Sequence, residues 1–430
     1  MLYSSSIFTV IAFLVSTFLV HAVVVLIKLS HKGLIKDYAK QPTVSILLPC
    51  YNEGKTVYET VESITKSNYP NDKFEIIARD DCSSDDSFDW LLQAQRDFTN
   101  IPISVAKNDQ NSGKAHTVYA ALKNSSAEII LSIDSDCIFH PDAIRELVAC
   151  FADPKVGAVG GAVGVRNVND NLLTKGQTFI YYLSFHMMKM IDTWSKTVTC
   201  ISGCMFAIRR DLMVSLDAQV MSRSFLGIPV NDGEDRFLTH MVLLSGYGTI
   251  INTAAQCLTT VPNNFSTLFK QQIRWQRSGV RDFIVTLKNL RTHLTTVHPM
   301  ALYSQMLPTC AALAGVTLTV MLLNTGIASL AIAPMFFMFY GALAAIVHII
   351  ICQNNPEQKI ENPLCLVFFS IWIIAGRLIQ ILAIFTLDSR DWGTRALVPT
   401  LELEPLSLVP ALARRPAFTG VIAKSMNPSN

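Results

Sequence analysis

Asp134 and Asp136 stand one residue apart, directly after the apolar run Ile129–Ile133. Two carboxylates at the end of a buried strand converge on one point, a geometry suited to a hard divalent cation. Mg2+ held in this way keeps positions for water and substrate phosphates, so the pair implies a diphosphate-bearing substrate. A second acidic group, Arg79-Asp80-Asp81-Cys82-Ser83-Ser84-Asp85-Asp86, follows Ile76-Ile77-Ala78. Within it Asp85 and Asp86 are read as helix caps or turn formers, because Asp caps helices well. The polar loop Asn108-Asp109-Gln110-Asn111-Ser112-Gly113-Lys114 lies between the two clusters, and its lysine is a usable point charge for phosphate. Farther on, Glu234 and Asp235 could supply a general base that reaches an acceptor hydroxyl. The plain alternative is a helix N-terminus decorated with acids, which the helix dipole favours.

These residues need strands and helices to position them. Val44–Leu48, Phe74–Ala78 and Ile129–Ile133 are rich in Ile, Val and Leu and bounded by turn formers, which predicts strands. Thr56–Lys66 and His116–Lys123 have helical spacing. The alternation predicts a parallel sheet covered by helices, with ligands beyond the carboxyl ends of the strands, where the acids fall. Ser266–Leu290 has amphipathic spacing, with Leu268, Phe269, Ile273, Val280, Phe283 and Ile284 interleaved with Lys270, Arg274, Arg277 and Arg281. It reads as a basic helix at a membrane surface. Trp275 in that helix is suited either to stacking on a sugar ring or to anchoring at the interface.

The chain has 430 residues, of which 50% are hydrophobic and only 16% charged. A soluble chain carries about 25% charge, so an ordinary cytosolic enzyme, a disordered protein and a collagen are excluded. Thirty-five basic residues against 33 acidic ones leave a net charge of +2, which offers no electrostatic footprint for nucleic acid. Ten cysteines are scattered without a C-x-x-C pair, so a disulfide scaffold or zinc site is not expected. Met1–Ile27 carries no Lys, Arg, Asp or Glu and is long enough to cross ~30 Å of hydrocarbon. Lys28, Lys32, Lys36 and Lys40 follow it and place that end in the cytoplasm. Met300–Leu323 and Ile327–Cys352 read as two further spans around Asn324-Thr325-Gly326. Pro363–Leu387 is interrupted by Arg377, which marks either a residue facing a cavity or the point where the helix leaves the membrane. The basic tail residues Arg390, Arg395, Arg414, Arg415 and Lys424 favour a cytoplasmic tail, with Pro363–Leu387 re-entrant or interfacial.

Taken in order, Pro49-x-x-Asn52-Glu53, Asp80-Asp81, Gly113-Lys114, Asp134-x-Asp136, Gly233-Glu234-Asp235-Arg236 and Gln271-x-x-Arg274-Trp275 resemble the motifs of processive family 2 glycosyltransferases with the GT-A fold. The likeness spans about Pro42 to Arg395 and runs nearest to bacterial hyaluronan synthases. Ser202-Gly203 followed by Arg209-Arg210, the stretch Phe225-Leu226-Gly227-Ile228-Pro229-Val230, and Trp392-Gly393-Thr394-Arg395 carry it further. Nodulation chito-oligosaccharide synthases and chitin synthases share much of the pattern. There are three departures. The Glu-Arg-Ala-Ala-Gln-Ser run of those synthases is missing, and the region reads Phe185-His186-Met187-Met188-Lys189-Met190-Ile191-Asp192. Their Ser-Gly-Pro is Ser202-Gly203-Cys204. One N-terminal span stands where many hyaluronan synthases have two.

The resemblance implies an α/β GT-A domain over residues 42–260, preceded by a transmembrane helix and basic linker (1–41). Interfacial helices (261–298), a transmembrane region (299–387) and a loosely ordered tail (388–430) would follow it. It implies UDP-sugar donors, a growing polysaccharide acceptor, a lipid bilayer and Mg2+ or Mn2+. Asn52, Glu53 and Asp81 would line the nucleotide pocket, and Asp134 and Asp136 would hold the metal, with Lys114 nearby. Asp235 would be the base, beside Glu234 and Arg236. Gln271, Arg274 and Trp275 would border the acceptor and nucleotide, and Trp392 and Arg395 would lie by the UDP on the cytoplasmic side. The implied product is a hyaluronan-like polymer exported across the inner membrane. A chitin-type polymer made from UDP-GlcNAc alone, and a single transfer to a lipid carrier, are the competing readings.

Overall fold

The computed structural model describes residues 33–306 apart from 226 and 231, together with 310, 317 and 369–387. The N-terminal span at Met1–Ile27, the span at Ile327–Cys352, most of Met300–Leu323, and Trp392 and Arg395 lie outside the described residues. Among the described residues no helix is long and apolar enough to cross a membrane.

Eight strands form one sheet, in the spatial order Ile103–Lys107 (β3), Phe74–Asp80 (β2), Val44–Cys50 (β1), Ile129–Ile133 (β4), Met205–Arg209 (β7), Val156–Val165 (β6), Gly248–Thr259 (β10) and Cys137–Phe139 (β5). The predicted strands appear as β1 (Val44–Cys50), β2 (Phe74–Asp80) and β4 (Ile129–Ile133), each slightly longer than or equal to its apolar run. All seven residues of β1 are buried, as expected of a strand covered on both faces. Val44, Ile46 and Leu48 join one core layer, while Leu47 joins the other with Ile77, Ile130 and Ile208. β1 runs parallel to both β2 and β4, and β3 (Ile103–Lys107) runs parallel to β2. The predicted helices are Thr56–Thr65 and Lys114–Leu122.

The sheet is mixed, which corrects the all-parallel expectation. β7 (Met205–Arg209) runs antiparallel to β4, with Met205 opposite Ile133 and Arg209 opposite Ile129. It is also antiparallel to β6 (Val156–Val165), which pairs in parallel with β10 (Gly248–Thr259). The short β5 (Cys137–Phe139) closes the other edge antiparallel to β10. Because β7 runs against β4, the turn that starts it lies at the carboxyl end of β4. The Asp134 amide donates to the Cys204 carbonyl there at 3.2 Å. Ser202-Gly203 is thereby delivered to the acidic strand end.

The segment that departs from the family pattern forms a π-helix, Leu183–Met188, continued by the helix Lys189–Ser195. The Tyr182 and His186 rings stack across it with centroids 4.4 Å apart. The predicted amphipathic helix runs Phe265–Lys288, with Asn264 Oδ1 accepting from the Thr267 amide at its N-terminus. Its basic residues are not all on a solvent face as expected. Arg277 and Arg281 are buried. Arg277 Nε donates to Thr386 Oγ1, and Arg281 donates to the Leu387 carbonyl and pairs with Asp232. They tie this helix to the end of the Phe369–Ile384 helix and to the loop before Glu234. The described cysteines are all free thiols.

Candidate active site

At the carboxyl end of β4, Lys114 Nζ contacts Asp134 Oδ1 and lies 3.6 Å from Glu234. Burial alone would push the Lys114 ammonium down, but Asp134, Glu234 and Asp235 more than offset this and hold it above its ordinary value. The Gly203 amide donates to Asp235 Oδ2 at 3.0 Å, and the Arg236 amide donates to Asp235 Oδ1 at 2.7 Å. Each oxygen of Asp235 accepts one bond and keeps a lone pair, so the carboxylate is oriented and still able to take a proton. A Cβ on Gly203 would stand 2.7 Å from Lys114 Nζ, so a side chain there would force the ammonium to move from its place beside Asp134 and Glu234.

The helix Glu234–Leu244 carries both acids in its first turn, where its dipole favours negative charge. Its N-cap, Gly233, has φ +72°, and a Cβ there would meet Ser278 Oγ at 2.0 Å. Gly233 thus lets the loop turn sharply while pressed against the Phe265–Lys288 helix. Arg236 lies within electrostatic reach of Cys200, Asp282 and Asp235.

Asp136 is the more enclosed member of the pair. Its Oδ2 accepts from Thr259 Oγ1 at 3.2 Å, and its Oδ1 accepts from the Cys137 thiol at 3.4 Å. Burial first, then the neighbouring Asp134 charge, push its carboxyl up. Two carboxylates forced together in this way are relieved by a divalent cation, and their oxygens are hard ligands of the type Mg2+ and Mn2+ prefer. Among the described residues no third His, Cys, Asp or Glu completes a metal-ligand group. The donor set therefore fits an ion whose remaining positions are filled by substrate oxygens and water.

The nucleotide-side candidates are bound into their own loops. Asp81 is buried and accepts from Asn108 Nδ2, the Ser112 amide and the Gly113 amide, all at 2.8 Å. Three of its roughly four acceptor positions are used, which leaves room on Oδ2 for one further donor. Asn52 has φ +53°; its Oδ1 accepts from the Ser84 amide, and its own amide donates to Ser83 Oγ. The Glu53 amide donates to Ser87 Oγ. Asp85 is the organiser of this turn, accepting from the Ser87 amide and from Gly54. Asp86 sits at the N-cap position of Ser87–Asp97 without a capping bond and instead accepts from Trp90 Nε1. The turn-forming role expected of this pair thus falls to Asp85.

On the Phe265–Lys288 helix, the Trp275 ring is partly exposed and lies 6.4 Å from the Tyr181 ring. Gln271 Oε1 is buried with no hydrogen-bond partner among the described residues. Arg223 was not among the residues singled out from the sequence. It precedes β8 (Ser224–Phe225), and its guanidinium is buried 4.0 Å from Glu234. A lone arginine between Ser222 and Ser224 carries no motif, so burial was the only signal that could have found it.

Residues 45–216 match the model of the family described as Glycosyl transferase family 2. The chain is similar to a hyaluronan synthase of Streptococcus pyogenes, 26% identical over 379 residues that cover 85% of each chain. It is 31% identical over 252 residues to an N-acetylglucosaminyltransferase of Mesorhizobium japonicum, covering 58% of this chain and 59% of the relative. Among solved structures, a mannosyltransferase from Pyrobaculum calidifontis in complex with GDP-Man and Mn2+ superposes with a TM-score of 0.65 at 20% identity. That superposition covers 90% of this chain and 99% of the other. At that identity the likeness speaks for the fold alone, a GT-A-like α/β architecture.

Proposed function

Since the chain is a glycosyltransferase carrying a family 2 domain, we propose that it is a membrane-embedded, processive, inverting enzyme that polymerises UDP-sugars into an extracellular polysaccharide, in the manner of a hyaluronan synthase. The observation that carries this reading is the convergence of Asp235, Lys114 and Asp134 around Gly203. The carboxylate read as the base, a cation and a carboxylate suited to a metal stand together there at the carboxyl ends of the strands.

In the proposed reaction, Asp235 takes the proton of the acceptor hydroxyl. The hydroxyl oxygen forms its new bond to the anomeric carbon from the face opposite UDP, and UDP leaves with the electron pair of the broken C–O bond. An α-linked donor thus gives a β-linked product. Positioned proton transfer of this kind contributes about 10²- to 10⁴-fold. Lys114 neutralises charge beside the diphosphate. Asp134 and Asp136 would hold a Mg2+ or Mn2+ ion, which when bound supplies Lewis-acid stabilisation of the departing diphosphate. Asp81 offers its remaining acceptor position to the base, and Asn52 and Glu53 shape that pocket. Glu234 and Arg236 flank the catalytic carboxylate. Gln271, Arg274 and Trp275 border the acceptor end, with the partly exposed Trp275 ring presented as a stacking face. Residues 42–260 are assigned to catalysis on the cytoplasmic side. Residues 1–41 and 299–387 are assigned to the inner membrane, residues 261–298 to its surface, and Trp392 and Arg395 to the UDP.

A chitin-type polymer made from UDP-GlcNAc alone is the second reading, supported by the likeness to an N-acetylglucosaminyltransferase. Purified protein in nanodiscs with Mg2+ or Mn2+ is given UDP-GlcNAc, UDP-GlcA, or both, and the product is sized. Polymer only with both donors, digestible by hyaluronidase, supports the first reading. Polymer from UDP-GlcNAc alone supports the second. Transfer of single sugars to a lipid overturns processivity. In sealed inverted vesicles, product that stays open to an added lyase overturns translocation.

A further inference from the structure

Arg223 is a charged side chain only 6% exposed, and its far end makes no hydrogen bond among the described residues. Its Nε donates to the Val230 carbonyl at 2.8 Å, and the Val230 amide donates back to the Arg223 carbonyl, closing the base of the β8–β9 hairpin (β9, Ile228–Pro229). Both terminal nitrogens, Nη1 and Nη2, are buried without a hydrogen-bond partner among the described residues. The nearest acid, Glu234 Oε2, lies 4.0 Å from Nη2, close enough to balance charge but beyond hydrogen-bond reach. Asp232 Oδ1 is engaged by Arg281, its Oδ2 is buried without a hydrogen-bond partner among the described residues, and the charges of Asp232 and Asp235 act on Arg223 along with that of Glu234. Leaving the donors of a buried cation unmade costs free energy that an arriving acceptor recovers.

The position says which acceptor. Contacts run in sequence from Asp134 to Lys114, to Glu234 and to Arg223. In the proposed reaction the diphosphate lies at the Asp134 and Lys114 end. Asp235, adjacent to Glu234, must lie at the anomeric carbon. What extends past Glu234 is then a sugar ring. With Nε spent on the hairpin, Nη1 and Nη2 remain as an end-on fork matching the two oxygens of one carboxylate. Glu234, which stands 4.0 Å from Arg223, also lines a cavity with Lys114, Asp235, Asp217 and the apolar Val220 and Met221; partly apolar surroundings of this kind strengthen a charge pair.

We propose that Arg223 is the receptor for the carboxylate of a uronic acid sugar, and so a specificity-determining residue of this site; the inference rests on the UDP-sugar reading above. The carboxylate is either that of the donor sugar or that of the sugar ending the growing chain.

The test uses the full chain in nanodiscs with Mn2+. Affinities for UDP, UDP-GlcNAc, UDP-GlcA and a glucuronate-ended oligosaccharide are measured for wild type, Arg223→Gln and Arg223→Lys. Arg223→Gln is expected to weaken UDP-GlcA or the glucuronate-ended oligosaccharide by roughly 10- to 100-fold more than UDP and UDP-GlcNAc, the scale of a charge-assisted hydrogen bond. Whichever of the two weakens identifies the donor or the acceptor as the source. Arg223→Lys keeps the charge without the fork and is expected to restore only part of the difference. Parallel weakening of all four ligands overturns the proposal, since it marks a diphosphate contact or a collapsed hairpin. Unchanged discrimination also overturns it and leaves Arg223 as a hairpin clamp. A wild type that polymerises UDP-GlcNAc but gains nothing from a carboxylate overturns the inference alone. A wild type that binds no UDP-sugar overturns the wider reading as well.

Discussion

Replacing Gly233 with alanine should unseat the helix that presents Asp235. Two independent penalties can be worked from the structure. The backbone at this residue has φ +72°, which costs an L-residue about 1–2 kcal/mol. The new Cβ would also stand 2.0 Å from Ser278 Oγ and 2.8 Å from Ser278 Cβ, an overpacking worth about 1–3 kcal/mol. Together they amount to roughly 2–5 kcal/mol. The double variant Gly233→Ala with Ser278→Gly removes the clash but keeps the backbone strain. It should recover about 1–3 kcal/mol, beyond the ~0.5 kcal/mol that glycine itself costs in a helix. Chemical denaturation in mild detergent, followed by tryptophan fluorescence, gives the four corners of the cycle. Turnover should fall with stability, because a shift of about 1 Å in a catalytic group can cost 10²-fold. A loss below 1 kcal/mol, or a double variant no more stable than Gly233→Ala alone, would refute the close approach of Gly233 to Ser278 as the device that orients the acids.

Asp235→Asn should lower turnover by about 10²- to 10⁴-fold while UDP affinity stays within a few-fold, measured by product release and nucleotide binding; near-normal polymer synthesis would remove Asp235 as the base. Asp136→Asn should raise the Mn2+ concentration needed for half-maximal activity, and chelation by EDTA should abolish wild-type activity reversibly. An unchanged metal requirement would separate Asp136 from the metal. Burial raises the Asp217 carboxyl to about 7, well above an unfolded value of about 3.9. A raised folded value means that its stabilising protonation is present below about pH 4 and is lost as pH rises through about 7. Asp217→Asn removes that loss, so the variant should unfold at a higher temperature than wild type at pH 8, with a smaller difference at pH 5. Equal differences at the two values would show that Asp217 titrates normally.

The strands and the acids at their ends were legible because the signals are local. Ile129–Ile133 is a continuous apolar run, and a strand buried on both faces has no polar face to interrupt it. Asp134 and Asp136 follow within three residues, so their convergence needs only the strand to end there. Gly233-Glu234-Asp235 likewise announces a helix start, and the helix begins at Glu234. The direction of β7 was not legible. Met205–Arg209 is five residues long and reads alike in either orientation, yet pairing Met205 with Ile133 is what brings Gly203 to Asp235. Spacing also misread Arg277 and Arg281. Periodicity marks a polar stripe on a helix, but partners more than 100 residues away in the chain, Thr386 and Leu387, turned that stripe inward.

Residue types and their order thus set the chemistry that can be proposed: paired carboxylates suited to a divalent cation, a lysine suited to phosphate, and an acid at a helix start. Tertiary structure alone decided which groups are free to act. Asp81 keeps one acceptor position because three donors from the 108–113 loop occupy the others. Arg223 keeps two nitrogens without a hydrogen bond among the described residues because only its Nε meets a carbonyl. Chemical identity is a local property of the chain, whereas satisfaction of a polar group depends on every segment folded against it.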